Sequence, residues 1–337
     1  MQNTQCQQCS LDTPERINYI SLERFNIQSD KQIIKVVPGN WDQFQKKVDD
    51  STEYQTAKEK FTQLDFDHLC DSDHSSHAES KDRYDLPLNV KEDISCNIGR
   101  QGDLFLNSGL NELLAAKLQR VPKVPIRIVA RHPKWQRFRN ELCALSLENN
   151  LYQGLTHPDL CDIPAEHPSQ DQFDIIQRNM SVQKGKLLDV AANLGYFCHR
   201  FEEIGFACCA VEINLKSLYF LKKLRRAENR RFKVISQSIL EWKDLKRQEF
   251  DTVLALNIFH HFLKRKTLYD KFVKMLKDLH AKEIFFEPHL FNDPQMKGAY
   301  KNFGEKEFAD FVLENSRLNA AKVIGRALDG RPLYKLY

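Results

Sequence analysis

The sequence predicts an α/β protein in which a mainly parallel sheet covered by helices fills the second half, preceded by a smaller α+β domain. From Lys186 onward, short apolar strands alternate with amphipathic helical segments, a pattern typical of parallel sheets with helices on both faces. The chain has 337 residues, 42% of them hydrophobic, which is enough for two cores and favours two domains.

Composition sets broad limits on location and partners. The formal net charge is +4 and the pI is near 8.4, too mild a balance to require a nucleic-acid partner. Because the sequence shows no apolar run of about 18 residues and starts with a polar stretch, we predict a cytoplasmic protein without a membrane partner. The nine cysteines are scattered, which favours reduced thiols over a disulfide framework.

A zinc site near the N-terminus is an open alternative. Cys6 and Cys9 have C-x-x-C spacing, and a second group of His and Cys residues follows at 68–77, so four donors for tetrahedral zinc are present. The two groups lie far apart in a polar sequence, which favours the simpler interpretation. We therefore predict a flexible N-terminus at residues 1–14, a polar loop at 70–82 and no metal.

The first domain is predicted to span residues 15–150. The segments INYISL and QIIKVV precede the polar loop as short strands. After the loop come a strand, a Gly-Asp hairpin turn at Gly102–Asp103, a second strand, a helix at Asn111–Leu118 and a strand ending at Arg131–His132, followed by a helical pattern from Trp135 to Asn150.

This order of elements resembles the ParB/sulfiredoxin-like module over about residues 15–140. In that family a His-Arg pair at the signature position meets a phosphate or nucleotide. Here the position reads Ser108-Gly109-Leu110-Asn111-Glu112. The resemblance therefore implies a degenerate module that serves as a scaffold or recognises a substrate.

A linker is predicted at residues 151–170, which contain three prolines. The second domain then covers 171–337 and opens with a helix from Phe173 to Met180. Its predicted strands are LLDV, CCAVEI, FKVIS, EFDTVLALN, AKEIFFEP and two more in the tail, with helices through CHRFEEIG, LKSLYFLKKLRRA and YDKFVKMLKDL between the first five.

The turn after the first of these strands predicts a cofactor site, because ligands of doubly wound sheets bind where a strand end meets a helix start. The strand carries Asp189 and the turn keeps a single glycine, Gly195. Ala191 is small, and Asn193 tolerates a left-handed backbone. We expect the loop to admit a ligand as long as Ala191 does not need a positive φ. A dinucleotide is excluded because G-x-G-x-x-G is absent.

The stretch Asp189–Gly195 is similar to motif I of class I S-adenosylmethionine-dependent methyltransferases, D-x-G-x-G-x-G, with two of its three glycines replaced. The resemblance extends over about residues 170–337 as an ordered series. Glu212 ends the second strand, where the family carries a ribose-binding carboxylate, and Asn257 follows the fourth strand. The tail supplies two strands joined at Asp329–Gly330, like the antiparallel pair that closes the methyltransferase sheet.

The resemblance implies a Rossmann-like seven-stranded methyltransferase sheet and S-adenosylmethionine as the cofactor. It also implies a set of cofactor-binding residues, in which Ser238 stands where the family often has an Asp and Ile213 or Ile239 is the flat apolar neighbour of the adenine. These residues are Asp189, Ala191, Asn193, Gly195, Tyr196, Glu212, Ile213, Ser238, Ile239 and Asn257.

Four candidate catalytic residues lie at the ends of the fourth and fifth strands. His260 and His261 follow the fourth strand, and Glu287 and His289 follow the fifth. A histidine titrates near neutrality and could take a proton from a hydroxyl, while Glu287 could orient an amine or accept its proton. Packing or helix capping is the alternative role of the histidine pair.

Three functions stay open at this point. We favour a methyltransferase that acts on a small molecule or a biosynthetic intermediate. The second is an RNA or protein methyltransferase that uses the basic helix 216–231 as a phosphate-binding surface. The third is a catalytically inactive binding or scaffold protein, in which the lost glycines mark decay. The acceptor atom and the oligomeric state do not follow from the sequence.

Overall fold

The computed structural model describes residues 18–21, 26–30, 33–37, 94–109, 112–113, 123–147, 151–167 and 169–337. The predicted flexible N-terminus, the Cys/His groups and the polar loop lie outside these residues, as does all of the helix predicted at Asn111–Leu118 except its helical residues 112–113. The chain divides into two compact units, Met1–Asn140 and Glu141–Tyr337.

The first unit contains a six-stranded sheet with the order β1-β6-β4-β5-β3-β2. The predicted hairpin joins β4 to β5, with Gly102 at a φ of 92° and the Gly99 N–H donating to the Asp103 carbonyl at 2.8 Å. The strands are β1 (Asn18–Ser21), β2 (Asn26–Asp30), β3 (Ile33–Val37), β4 (Ser95–Ile98), β5 (Leu104–Ser108) and β6 (Lys123–Arg131).

The remaining elements alternate as the sequence predicts. The sequence did not predict the last of the helices, Glu305–Asn315. The helices are α1 (Pro133–Leu147), α2 (Gln170–Asn179), α3 (Tyr196–Glu203), α4 (Leu215–Ala227), α5 (Lys266–Asp278) and α6 (Glu305–Asn315). The strands are β7 (Lys186–Val190), β8 (Ala207–Val211), β9 (Lys233–Ile235), β10 (Glu249–Leu256), β11 (His280–Glu287), β12 (Ala321–Arg326) and β13 (Pro332–Leu336). Short 3₁₀ turns lie at Ile239–Glu241, Leu245–Arg247, Phe259–Leu263 and Pro294–Met296.

The second unit is built on a seven-stranded sheet with the order β12-β13-β11-β10-β7-β8-β9. Strands β7 to β11 pair in parallel, and β13 pairs antiparallel with both β11 and β12. The predicted Rossmann-like sheet of seven strands is therefore confirmed. Because the five strands β7 to β11 are parallel, their carboxyl ends all lie along one edge, and the loops that follow them meet there.

Both faces of this sheet are buried, as expected for parallel strands covered by helices. Neighbouring residues along a strand point to opposite faces. Leu188 and Val253 belong to one apolar core with α5 and α6, whereas Leu187 and Leu254 belong to a second core with α2 and α3. The apolar runs of the sequence thus supply two cores at once.

Residues 151–167 are packed within the second unit, unlike the linker that their prolines predict. Leu151 and Leu160 are buried, and Gln153 forms an isolated bridge with His167. The Thr156 hydroxyl donates to Glu228 Oε1 at 2.6 Å. The prolines therefore shape a folded segment of this unit, which begins at Glu141.

A buried ion pair ties the end of the chain to the sheet. Lys335 Nζ lies 2.9 Å from Glu283 Oε2, and both side chains are buried. The carboxylate also accepts a hydrogen bond from Thr252 Oγ1 at 2.9 Å, and the ammonium donates to the Asn179 carbonyl at 2.6 Å. The pair thus joins β10, β11, β13 and the end of α2.

Among the described residues, no helix combines the length and the apolar composition needed to cross a bilayer.

Replacing Lys335 by methionine is expected to lower the free energy of unfolding by about 3–5 kcal/mol, because Glu283 would keep a buried charge without its cation. Urea unfolding followed by circular dichroism measures this change. The matched control is Lys322→Met, since Lys322 is exposed and lies opposite Lys335 on β12. Equal and small losses in the two variants would contradict the role of the pair.

Candidate active site

The loop after β7 holds three residues in the left-handed backbone region. The φ angles are 61° at Ala191, 51° at Asn193 and 86° at Gly195. The turn is closed by the Gly195 N–H, which donates to the Ala192 carbonyl at 2.8 Å. The sequence analysis expected the loop to admit a ligand only if Ala191 did not need a positive φ, and this condition is not met. An alanine in this conformation costs about 1–2 kcal/mol, so the loop forms under local strain.

Glu212 fastens this loop to the end of β8. Its carboxylate accepts three backbone hydrogen bonds, from Asn193 at 2.8 Å on Oε2 and from Ile213 and Asn214 at 2.7 Å each on Oε1. A carboxylate offers about four acceptor positions. The side chain is only 6% exposed, and the remaining position on Oε2 fits a ribose hydroxyl. Glu212 thus suits the ribose-binding role and shapes the loop as well.

Asp189 lies beneath the loop rather than on its surface. Its side chain is buried, and the Cys198 thiol donates to Oδ2 at 3.8 Å. Burial, together with the neighbouring charge of Glu212, raises the pKa of Asp189 to about 7. A carboxyl with this pKa exchanges a proton near neutral pH. In its ionised form, the carboxylate can pair with a cationic group of a bound cofactor.

Four other predicted cofactor-binding residues divide into one exposed residue, Ile213, and three that contact the protein itself, Ser238, Ile239 and Tyr196. Ile213 is 64% exposed beside Glu212, as an apolar neighbour of an adenine would be. Ser238 caps the 3₁₀ turn at 239–241 by accepting the Leu240 N–H at 3.2 Å. Ile239 is buried in the core. The Tyr196 hydroxyl donates to Gln170 Oε1 at 2.9 Å, which directs this side chain to α2, and burial raises its pKa to about 12.

Asn257 stands at the end of β10 with a φ of 52°. Its backbone N–H donates to the Glu287 carbonyl at 3.2 Å, which links the ends of β10 and β11. Its side-chain Nδ2 donates to the Tyr152 hydroxyl at 2.6 Å. The buried Oδ1 has no hydrogen-bond partner within the described ranges, so this oxygen can accept a hydrogen bond from a ligand.

Glu287 is the last residue of β11 and is 1% exposed. Gln172 Nε2 donates to its Oε2 at 2.5 Å, and Arg331 Nη1 lies 3.7 Å from Oε1. Burial raises the pKa of Glu287 to about 7, although the hydrogen bond from Gln172 opposes the shift. The carboxyl is therefore oriented by two side chains and poised to exchange a proton.

The three histidines form a cluster in the segments that follow β10 and β11. The ring centroid of His260 lies 4.1 Å from that of His261 and 5.5 Å from that of His289. Burial lowers the pKa of His260 to about 2 and also lowers the pKa of the other two. His289 Nε2 lies 2.7 Å from Asn302 Oδ1. Neither ring nitrogen of the buried His260 has a hydrogen-bond partner among the described residues.

The sequence missed three residues of this edge, namely Tyr152, Gln172 and Arg331. Tyr152 lies in the segment taken for a linker, and Gln172 lies on the helix that enters the domain. Arg331 could have been predicted from the sequence, because it follows the predicted Asp329–Gly330 turn at the start of the antiparallel strand beside β11.

Within the described part of the chain, no group of three or more His, Cys, Asp or Glu residues is arranged to hold a metal ion.

Comparison with known proteins gives the class of this domain. Residues 188–279 match the family model described as a methyltransferase domain. The second unit therefore contains a class I S-adenosylmethionine-dependent methyltransferase domain, and S-adenosylmethionine is the cofactor that such a domain uses. No curated protein matches the chain.

Several solved structures are similar to parts of the chain. The bifunctional kinase-methyltransferase WbdD shares 17% identity over 58% of this chain and 45% of its own length, with a TM-score of 0.47. The N-methyltransferase NodS from Bradyrhizobium japonicum WM9 shares 11% identity over 50% of this chain and 97% of its own, with a TM-score of 0.37. The methyltransferase domain of bacterial CtHen1-CN shares 12% identity over 49% of this chain and 98% of its own, with a TM-score of 0.38. The chain spans less than half the length of WbdD.

Replacing Ala191 by glycine is expected to stabilise the protein by up to about 1 kcal/mol, because glycine adopts a positive φ without the alanine penalty. Chemical unfolding measures the change. Ala192→Gly is the matched control, since Ala192 keeps a negative φ, and this variant should lose about 1 kcal/mol. Destabilisation of the same size in both variants would contradict strain at Ala191.

Glu287 should make stability fall as the pH rises. Its pKa in the folded protein is about 7, against an ordinary value of 4.5, so the folded state keeps a proton that the unfolded state loses between these values. The shift corresponds to about 3 kcal/mol, present below about pH 4.5 and lost by about pH 7. Glu287→Gln should remove this loss.

The measurement is urea unfolding of both proteins from pH 4.5 to 8. The stability of Glu287→Gln relative to the wild type should increase by about 3 kcal/mol across this range. Asp189 has the same direction of shift but is present in both proteins and cancels. Glu314→Gln, at an exposed position of α6, serves as the control. Parallel pH curves for wild type and Glu287→Gln would rule out the raised pKa.

Proposed function

We propose that this protein transfers the methyl group of S-adenosylmethionine to a hydroxyl or amine of a small molecule or biosynthetic intermediate. The observation that carries the proposal is a group of buried polar atoms at the ends of β10 and β11 that have no hydrogen-bond partner in the part of the chain that the structure describes. They are Asn257 Oδ1, both ring nitrogens of His260, His289 Nδ1 and Arg331 Nη1. Because buried polar atoms are almost always paired, a bound ligand is the natural partner for this group.

The cofactor would be held by the loop and by Glu212. S-adenosylmethionine supplies an electrophilic methyl group on a sulfonium, so the chain itself has to align an acceptor and remove its proton. Glu212 would accept hydrogen bonds from the ribose at Oε2, and Ile213 would lie against the adenine. The backbone bonds that Glu212 accepts from the loop keep this cradle in place, which supports an active domain over a decayed scaffold.

Glu287 is the best candidate for the base. An efficient base has a pKa near the working pH, and that of Glu287 is about 7, whereas that of His260 is about 2. His260 and His289 are then neutral rings that orient the acceptor through hydrogen bonds. Glu287 would accept the proton of the acceptor atom, and S-adenosylmethionine would supply the methyl group to that atom and leave as S-adenosylhomocysteine. Asn257 Oδ1 would accept a hydrogen bond from the acceptor or the cofactor.

Three further hypotheses rest on the sequence. For about residues 15–140, we retain the hypothesis of a degenerate ParB/sulfiredoxin-like module. The family match does not extend to this region. A cytoplasmic location stays a prediction. The domain boundary at residue 171 also stays a prediction. The compact second unit begins at Glu141, which favours a larger methyltransferase unit that includes residues 151–167.

Isothermal titration of the full chain with S-adenosylmethionine and S-adenosylhomocysteine tests this function. We expect micromolar binding of both by the wild type. Glu212→Gln should weaken binding about tenfold or more, because it removes the charge from hydrogen bonds to the ribose and to the loop. Glu287→Gln should bind S-adenosylhomocysteine as the wild type does, since this carboxyl acts on the acceptor.

The exposed substitution Glu314→Gln controls for the loss of a negative charge. Absence of binding to the wild type would defeat the methyltransferase proposal and favour the inactive scaffold. Equal binding by wild type and Glu212→Gln would instead leave the activity standing and remove Glu212 from the cofactor site.

A further inference from the structure

The ring of His289 is held in a defined orientation in the segment that follows β11. The residue is 0% exposed. Its ring centroid lies 5.5 Å from that of His260 and 5.6 Å from that of Phe308, which it meets edge to face at 66°. The 3₁₀ turn at 259–263 and helix α6 therefore both contact the ring, and each of its nitrogens points in a fixed direction.

One of these nitrogens faces the side-chain amide of Asn302. His289 Nε2 lies 2.7 Å from Asn302 Oδ1, and Nδ2 of the same amide donates to the Phe291 carbonyl at 3.2 Å. A flipped amide would set its oxygen against that carbonyl oxygen, and two acceptors form no hydrogen bond. The contact with Phe291 therefore fixes the amide with its oxygen towards the ring.

This amide determines which nitrogen of the neutral ring carries the proton. An amide oxygen only accepts hydrogen bonds, so Nε2 is the protonated nitrogen and Nδ1 keeps a lone pair. Burial lowers the pKa of the ring, and the charges of Arg331 and Lys264 act in the same direction. The hydrogen bond with Asn302 and the charge of Asp293 oppose this shift without reversing it, so the ring is neutral at neutral pH.

The lone pair on His289 Nδ1 is buried and has no hydrogen-bond partner within the ranges that the structure describes. Buried polar atoms are almost always paired, so this atom calls for a donor. The charge of Arg331 lowers the pKa values of both His289 and Glu287, which places the ring within electrostatic reach of the same guanidinium as the proposed base. A hydroxyl or an amine of a ligand is the complementary group.

We infer that Asn302 is a positioning residue that holds His289 as the Nε2–H tautomer, so that Nδ1 accepts a hydrogen bond from an O–H or N–H of the methyl acceptor. The inference rests on the proposed function and narrows its substrate class. A group that only accepts hydrogen bonds, such as an ether oxygen, would face a lone pair here and be rejected. Because Asn302 is exposed, it can be replaced without disturbing the apolar cores.

Long-range ¹H–¹⁵N NMR of the full chain, labelled with ¹⁵N-histidine, reports which nitrogen of His289 carries the proton. His289→Gln assigns its signals among the 11 histidines. At about pH 8, where an ordinary histidine is neutral, we expect the Nε2–H tautomer in the wild type. Asn302→Ala should lower the ratio of Nε2–H to Nδ1–H about five- to tenfold, the contribution of one hydrogen bond. Asn302→Asp, which keeps an acceptor oxygen, should restore it.

The matched control is Asn319→Ala, at another exposed asparagine of the second unit, which should leave the ratio unchanged. An Nδ1–H tautomer in the wild type would overturn the inference. So would an equal ratio in the wild type and in Asn302→Ala.

Phenol and anisole, each added in the presence of S-adenosylhomocysteine, test the donor that Nδ1 accepts. Phenol has an O–H to donate and should shift the Nδ1 resonance of His289, whereas anisole, with a methyl group in place of that proton, should not. Equal responses to the two probes, or none to phenol, would overturn the assignment. Absence of S-adenosylhomocysteine binding would instead defeat the proposed function, because the tautomer ratio is measured without cofactor and does not depend on it.

Discussion

Burial of both faces of the seven-stranded sheet is the constraint on which the site depends. The side chains of β7, β10 and β11 pack into one apolar core or the other, and their backbone groups are paired along the strands. Polar side chains that meet a ligand can therefore stand only where the strands end. Parallel pairing then places Glu212, Asn257 and Glu287 along one edge of the sheet.

The same edge concentrates the energetic costs of the fold. Ala191, Asn193 and Asn257 adopt positive φ angles in the loops after β7 and β10, and strain of this kind is typical of functional sites. Asp189 and Glu287 are buried acids whose pKa values are raised to about 7. The two apolar cores make these local costs tolerable, so the sheet acts as a rigid support for an edge that is less stable than its surroundings.

Two surfaces of the second unit follow different physics. The edge at Glu287 is enclosed, with neutral histidines and a carboxyl near its titration point, so recognition there depends on hydrogen-bond geometry and on pH. Helix α4, by contrast, carries exposed cations such as Lys216 and Lys222, and charge interactions at an exposed surface depend on salt.

The sequence by itself determined the alternating strands and helices, the loop after Asp189 and the position of Glu212, because periodicity and strand ends are written in neighbouring residues. It did not determine the contacts of Tyr152 with Asn257 or of Gln172 with Glu287, which join residues 105 and 115 positions apart. Prolines at 151–170 indicate turns whether the segment is a linker or packed, and the φ of Ala191 is set by the closed turn and by Glu212. Only the packing of distant segments decides such features, because their energies come from partners that no local pattern specifies.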